Sequence, residues 1–214
     1  MPRHPDPELE RRILDAASRL WARGGEKALT MRAVAKMAGT TTPTVYERYR
    51  HRDDILGALR MEARGQLFDA LRTARGVRQS AERYLQFALK HTYGYEVLFD
   101  GVAKPPSLYE PWPSFRLLRE RLAKEIGGSP RQHTRLMLAL WALMHGTAIL
   151  VIRGGFEGTL KTQAVHVCLD AIDAILHAAK SGHLPCSGPE WPSSLVLGEG
   201  KQSRVNGVHT TRKR

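Results

Sequence analysis

The 214-residue chain carries 33 Lys and Arg against 21 Asp and Glu, a net charge of +12, and is 42% hydrophobic. That composition excludes an intrinsically disordered chain and supports a buried core, and two cysteines are too few for a disulfide framework. The charge favours polyanions, nucleic acid first and anionic membrane second, although a solvated basic surface gives the same count.

By region the excess is +4 over residues 1–60 (12 basic, 8 acidic), +5 over 61–180 (16 and 11) and +3 over 181–214 (5 and 2). The charge is diffuse, so a DNA-binding argument must rest on a motif. Met1–Glu10 is polar and holds no apolar segment of the secretory type, and Cys168 and Cys186 are not spaced as metal ligands. These features predict a cytoplasmic protein without metal or other cofactor.

The first predicted helix runs from Pro7 to Arg23, with Leu9, Ile13, Ala17, Leu20 and Trp21 on one apolar stripe, and Gly24-Gly25 as its stop. Thr30 is placed to cap a short second helix, Met31–Met37, with Val34 and Met37 facing inward. Ala38-Gly39 supplies the tight interhelical turn. Thr41 caps a third helix whose first turn holds Thr42 and Pro43, where proline loses no helical hydrogen bond. Val45 and Tyr49, four apart, face inward, leaving Thr42, Thr44, Tyr46 and Arg48 outward with Glu47 the one acid. This is a helix-turn-helix arrangement, and the free amides at such a helix start suit phosphate.

In combination, Leu29-Thr30-Met31-Arg32-Ala33-Val34-Ala35-Lys36-Met37-Ala38-Gly39, Thr42-Pro43-Thr44-Val45-Tyr46 and Arg52-Asp53-Asp54-Ile55-Leu56 resemble the DNA-binding domain of the TetR (tetracycline repressor) family. The resemblance covers about the first quarter of the chain. It implies that Thr41–Tyr49 is the recognition helix, that Tyr46 contacts a backbone phosphate, and that Thr30 and Arg32 touch DNA. Four positions depart from the family pattern: Arg48 replaces the usual His, Arg52 the usual Lys, Thr40 the common Val and Tyr49 the usual Phe. Arg48 and Arg52 are expected to supply charge to phosphates, a contribution to affinity that reads no sequence. Thr42, Pro43 and Thr44 are the candidates for base edges, and Arg32 for a bidentate guanine contact. Arg3 either reaches a minor groove or belongs to a solvated arm, residues 1–6.

Asp53 and Asp54 open a fourth helix through Ile55, Leu59, Ala63, Leu67 and Leu71 to about Arg75. Tyr84–Leu89, Tyr95–Phe99 and Trp141–Gly146 resemble a WHG-type effector domain of one TetR subgroup. Candidate ligand-contacting residues are Phe87, Tyr95, Phe99, Trp112, Phe115, Met137, Trp141, Met144 and His145, each of which is also readable as ordinary core. His145 stands out as the one ionisable group in the apolar run Leu136–Ile152. That run is 17 residues long, the lower limit for a membrane span, and reads better as a buried or dimer-forming helix. The Pro-rich segment 100–115 is either a mobile rim or a connector.

In the last helix Leu160, Ala164, Val167, Cys168, Ala171, Ile172, Ile175 and Ala179 form a stripe. Leu160, Ala164, Val167, Ala171, Ile172 and Ile175 are the dimerisation candidates, packing with the preceding helix as a four-helix interface. Residues 181–214, rich in Gly, Pro and Ser, are expected to be a disordered basic tail.

The expected protein is thus all-α, with a helix-turn-helix domain over 1–52 and a helical effector and dimerisation domain over 53–180. Its expected partners are double-stranded operator DNA, a second copy and an unidentified small-molecule effector, with no membrane. No phosphate loop, HExxH, GxSxG or close acid pair is present to support an enzyme. A ligand-binding or adaptor protein without operator recognition is the remaining alternative, and the basic, acid-poor third helix argues against it. Repression and activation are both compatible with the chain, because the sign depends on operator position.

Overall fold

A computed structural model describes residues 6–99 and 112–184. Arg3, the segment 100–111, Cys186 and the tail from 185 onward lie outside the described residues. Among the described residues there are no strands. The described residues form nine α-helices: α1 Pro7–Ala28, α2 Met31–Met37, α3 Thr42–Arg48, α4 Arg52–Arg72, α5 Val77–Lys90, α6 Thr92–Phe99, α7 Pro113–Ile126, α8 Thr134–Ile152 and α9 Thr159–Lys180, with a 3-10 turn at Pro130–His133.

The first three helices are short amphipathic pieces with side-chain caps. Asp6 Oδ1 accepts from the amides of Glu8 and Leu9 at 3.0 and 3.3 Å and starts α1. Ile13, Ala16, Ala17, Leu20 and Trp21 then turn inward. The expected stop at Gly24-Gly25 is a kink instead. Both glycines leave helical geometry (φ −162°, ψ 20° and φ 59°, ψ −147°), and the chain then makes one further turn to Ala28. Thr30 caps α2 through its Oγ1, 3.2 Å from the Ala33 amide. Gly39 turns the chain at φ +65°, a left-handed conformation that glycine adopts without steric cost.

These helices share one apolar cluster with the first turns of α4, through Ile55, Leu56 and Leu59, and Val97 of α6 enters it as well. A second cluster begins further along α4 at Ala63, Leu67 and Leu71 and gathers α5 to α9. The expected stripe of α4 is therefore buried throughout, but it serves two cores in succession. Arg60 Nε donates to Val97 O at 3.3 Å and ties α6 to α4 near the crossover.

α8 runs two residues beyond the expected start and is, among the described residues, the one helix long and apolar enough to cross a membrane. Its inner side, Leu136, Met137, Leu140, Met144, Ala148 and Val151, is core. Its outer side carries Ala139, Ala142 and Leu150, exposed in the protomer. Two apolar faces on one helix explain the near-continuous hydrophobic run without a bilayer.

Candidate functional site

α3 is set by local chemistry and anchored by two residues. Thr41 Oγ1 accepts from the Thr44 amide at 3.3 Å and lies 2.8 Å from Thr44 Oγ1. Val45 is wholly buried and Tyr49 nearly so. The phenol of Tyr49, where the TetR pattern has Phe, donates to Glu10 Oε1 of α1 at 3.3 Å. Burial, then the neighbouring carboxylate, pushes that phenol up to about 12. The added hydroxyl is thus satisfied and braces α3 against α1.

On the opposite side, Tyr46 is 51% exposed. Pro43, Thr41, Thr30 and Arg32 are exposed, and Thr42, Thr44 and Arg48 are half-buried. The hydroxyls of Thr30 and Thr41 are engaged in capping, so Arg32, Thr42, Pro43, Thr44, Tyr46 and Arg48 hold the reach toward a ligand. Arg52 lies at the start of α4 and pairs with Glu26, just past the α1 kink, at 2.6 Å. Glu26 was not suggested by sequence spacing, because the two residues sit on different elements.

The second cluster encloses a narrow apolar cavity of about 20 Å³, room for a single water, so its walls must move apart to admit a small molecule. Five of the nine expected residues line it: Phe99, Trp112, Phe115, Trp141 and Met144. Phe87 and Met137 do not; they are buried in the core, Phe87 stacked on His91. Leu67, Leu71, Ser80, Tyr84, Ser114, Leu117, Leu118 and Arg121 complete the wall and went unrecognised in the sequence. Trp112 stacks between Phe99 and Phe115, at 6.0 and 6.1 Å, with the Arg64 guanidinium 4.3 Å from its ring centroid. Phe115 meets Trp141 edge-on at 5.3 Å.

Tyr95 and His145 stand beside the cavity in a polar chain. Tyr84 Oη and Tyr95 Oη are 2.8 Å apart, and Tyr95 Oη is 2.7 Å from His145 Nδ1. Tyr84 Oη also lies 3.4 Å from His145 Nδ1. The two phenolic protons both find acceptors within this buried set only when Nδ1 accepts one of them. His145 is therefore neutral with its proton on Nε2. Burial holds this imidazole below its ordinary value and pushes both phenols up.

His145 also faces an open cleft of about 620 Å³ bounded by Trp21–Glu26 of α1, Tyr93, Glu96 and Phe99 of α6, and Ile149 and Arg153. Phe99 borders both spaces. Among the described residues no group of three or more His, Cys, Asp or Glu could hold a metal ion.

On α9 the expected dimer stripe divides. Ile172 is wholly buried in the protomer's own core and Ile175 packs partly against it, because the stripe straddles the boundary of the inward face. Leu160 and Val167 are 54% and 64% exposed, with Ala164 and Ala171 half-buried beside them.

Comparison with known proteins agrees with this geometry. No curated protein sequence matches the chain. Several solved structures share its fold. A protein of unknown function from Rhodococcus sp. RHA1 has a TM-score of 0.66 at 22% identity, covering 83% of this chain and 97% of its own. A TetR-like transcriptional regulator from the same organism has a TM-score of 0.58 at 20% identity, covering 84% and 100%. A TetR-family regulator, SCO0857, from Streptomyces coelicolor A3 has a TM-score of 0.51 at 17% identity, covering 83% and 99%. Residues 13–59 match the family model of bacterial regulatory proteins, tetR family. Residues 77–177 match the tetracyclin repressor-like C-terminal domain. With both halves of one family's architecture matched, over 47 and 101 of its 214 residues, the chain belongs to the TetR family of DNA-binding transcriptional regulators.

Proposed function

We propose that the protein is a cytoplasmic homodimeric repressor, released from a palindromic operator by a small molecule bound in the aromatic cavity. The observation that carries this reading is α4. Its first turns belong to the core beneath the recognition helix, and its later turns, through Leu67 and Leu71, form the cavity wall. A ligand that repacks the cavity wall has a direct mechanical route to α3. To empty the operator it must favour the released state by several kcal/mol over the bound one, about 5.5 kcal/mol for a complete reversal of populations.

In this reading Thr42, Pro43 and Thr44 approach bases, Arg32 reads guanine, and Tyr46, Arg48 and Arg52 hold phosphates, with Thr30 and Thr41 setting the helix starts. Arg52 would exchange its Glu26 partner for DNA. The domain division at 52/53 and the WHG-type likeness of the effector half, carried by Trp141, His145 and Gly146, belong to the same proposal. Dimerisation uses the exposed faces of α8 and α9: Leu150 with Leu160, Ala164, Val167 and Ala171. Gly146 has open space where a side chain would start, which suits close helix approach.

Binding of the full chain to a selected operator fragment, titrated against salt, tests the DNA face. Arg48→Ala should weaken binding and flatten the slope of log K against log salt by about 1. Tyr46→Phe should weaken binding with the slope retained. Unchanged affinity in both variants would show that α3 is misassigned.

A further inference from the structure

The open cleft between α1, α6 and α8 has room for a small molecule as it stands, at about 620 Å³. Its walls come from both cores: Trp21 belongs to the cluster beneath the recognition helix, and Phe99 and Ile149 pack against the second cluster. Arg23 occupies the α1 side, directly before the Gly24-Gly25 kink, and Arg153 the C-terminal end of α8. Both are exposed, and among the described residues neither side chain forms an ion pair or a hydrogen bond.

Two carboxylates share the cleft. Glu26 is committed to Arg52 at 2.6 Å. Glu96 of α6 is half-buried and has no cationic partner among the described residues. Two guanidiniums therefore face one free carboxylate, an excess of a single positive charge, and the low-dielectric walls of a concave site focus such a field. His145 adds a neutral donor: its Nδ1 is turned to the Tyr84 and Tyr95 phenols, so the N–H left to offer the cleft is Nε2. Phe99 packs edge-on to the imidazole at 4.5 Å, and Tyr93, 52% exposed, holds a second ring on the same cleft. The competing explanation is structural: each arginine ends a helical segment, where a positive charge suits the helix dipole. That accounts for a basic residue at each end. It does not account for both converging, unpaired, on one cleft that also offers an imidazole donor and exposed aromatic surface.

We infer that this cleft is a second ligand site and takes a small aromatic acid of single negative charge, its carboxylate drawn to Arg23 and Arg153 and its ring against Phe99, Tyr93 and the His145 edge. A carboxylate matches the guanidinium fork and supplies the counter-charge that neither arginine has. Glu96 opposes a second negative group, which limits the occupant to a monoanion. Aromatic faces and edges supply the contact for the ring. The site is distinct from the aromatic cavity, whose wall includes neither arginine, and the inference holds whichever ligand that cavity takes.

Calorimetric titration of the full-length protein at low ionic strength tests it, with 1-naphthoate, its neutral amide 1-naphthamide and the dianion naphthalene-1,4-dicarboxylate as probes. The monoanion should bind about tenfold or more tightly than either of the others. Arg23→Gln and Arg153→Gln should each weaken naphthoate about threefold or more while leaving the amide unchanged, and the double variant should erase the preference. Glu96→Gln should bring the dianion level with the monoanion. Both arginines are exposed, so their replacement leaves the fold intact, which far-UV circular dichroism verifies. Amide binding as tight as that of the acid in the wild type would overturn the charge assignment. A dianion bound as tightly as the monoanion would overturn the restriction to one charge. An acid preference that survives in the double variant would place the ligand elsewhere and overturn the site, while leaving the effector reading of the aromatic cavity standing. No binding of naphthoate would overturn the inference outright.

Discussion

The Tyr84–Tyr95–His145 chain fixes a protonation state as well as a shape. Because Nδ1 accepts a phenolic proton, a proton arriving there would leave that phenol facing another donor. Burial already depresses the His145 value, so below pH about 6.5 the unfolded chain binds a proton that the folded one resists. Stability from this residue is intact above that pH and is lost as pH falls below it. Thermal melts at pH 7.5, 6.5 and 5.5 should show a decline toward acid that His145→Asn makes shallower, since the amide oxygen still accepts a phenolic proton. An equal decline in both proteins would show that the chain is not pH-sensitive at this point. His145 was legible in the sequence because it interrupts an apolar run. Tyr84, Ser80 and Arg121 were not, since α5 and α7 bring them together from positions 41 or more residues apart in the case of the Ser80–Arg121 bond. Helical periodicity says which way a residue faces but not which distant helix it meets. Phe87 and Met137 illustrate the converse: large apolar residues on the right helices that belong to the core and not to the cavity wall.

Among the elements, caps and glycines decide the DNA-binding half. The caps Thr30 and Thr41 and the turn at Gly39 were readable from residue type alone, because each meets a local backbone requirement. The α1 kink was half readable: two glycines signal a break in the helix, but the turn that follows depends on packing. Gly39 and Gly65 offer a controlled comparison, since an added methyl would meet no atom within 4 Å at either. Gly39 sits at φ +65°, so Gly39→Ala should cost about 1 kcal/mol in backbone strain. Gly65 lies within α4 and is exposed, so Gly65→Ala should gain roughly 0.5 to 1 kcal/mol through helix propensity and reduced unfolded-state entropy. Urea denaturation measures both. Shifts of the same sign would contradict the assigned turn geometry.

At the scale of the whole molecule, two apolar clusters share one helix, and the exposed faces of α8 and α9 are what a second copy can cover. The all-α architecture was legible because most helices carry clear apolar stripes, and α8 was recognisable as a helix from its length. How the α9 stripe divides between core and surface was not legible, because Ile172 and Val167 are equally apolar and only the packed neighbours distinguish them. Two recognition helices related by a two-fold axis would enter successive major grooves about 34 Å apart and require an operator of matching symmetry. The most direct measurement is sequencing of random DNA fragments retained by the purified full-length protein, alongside Val167→Glu, which places a charge on the exposed α9 face. The account predicts enrichment of an inverted repeat with half-sites about one helical turn apart by the wild type, and loss of that enrichment together with the dimer in the variant. No enriched sequence, or a single unrepeated site bound equally by both proteins, would contradict it.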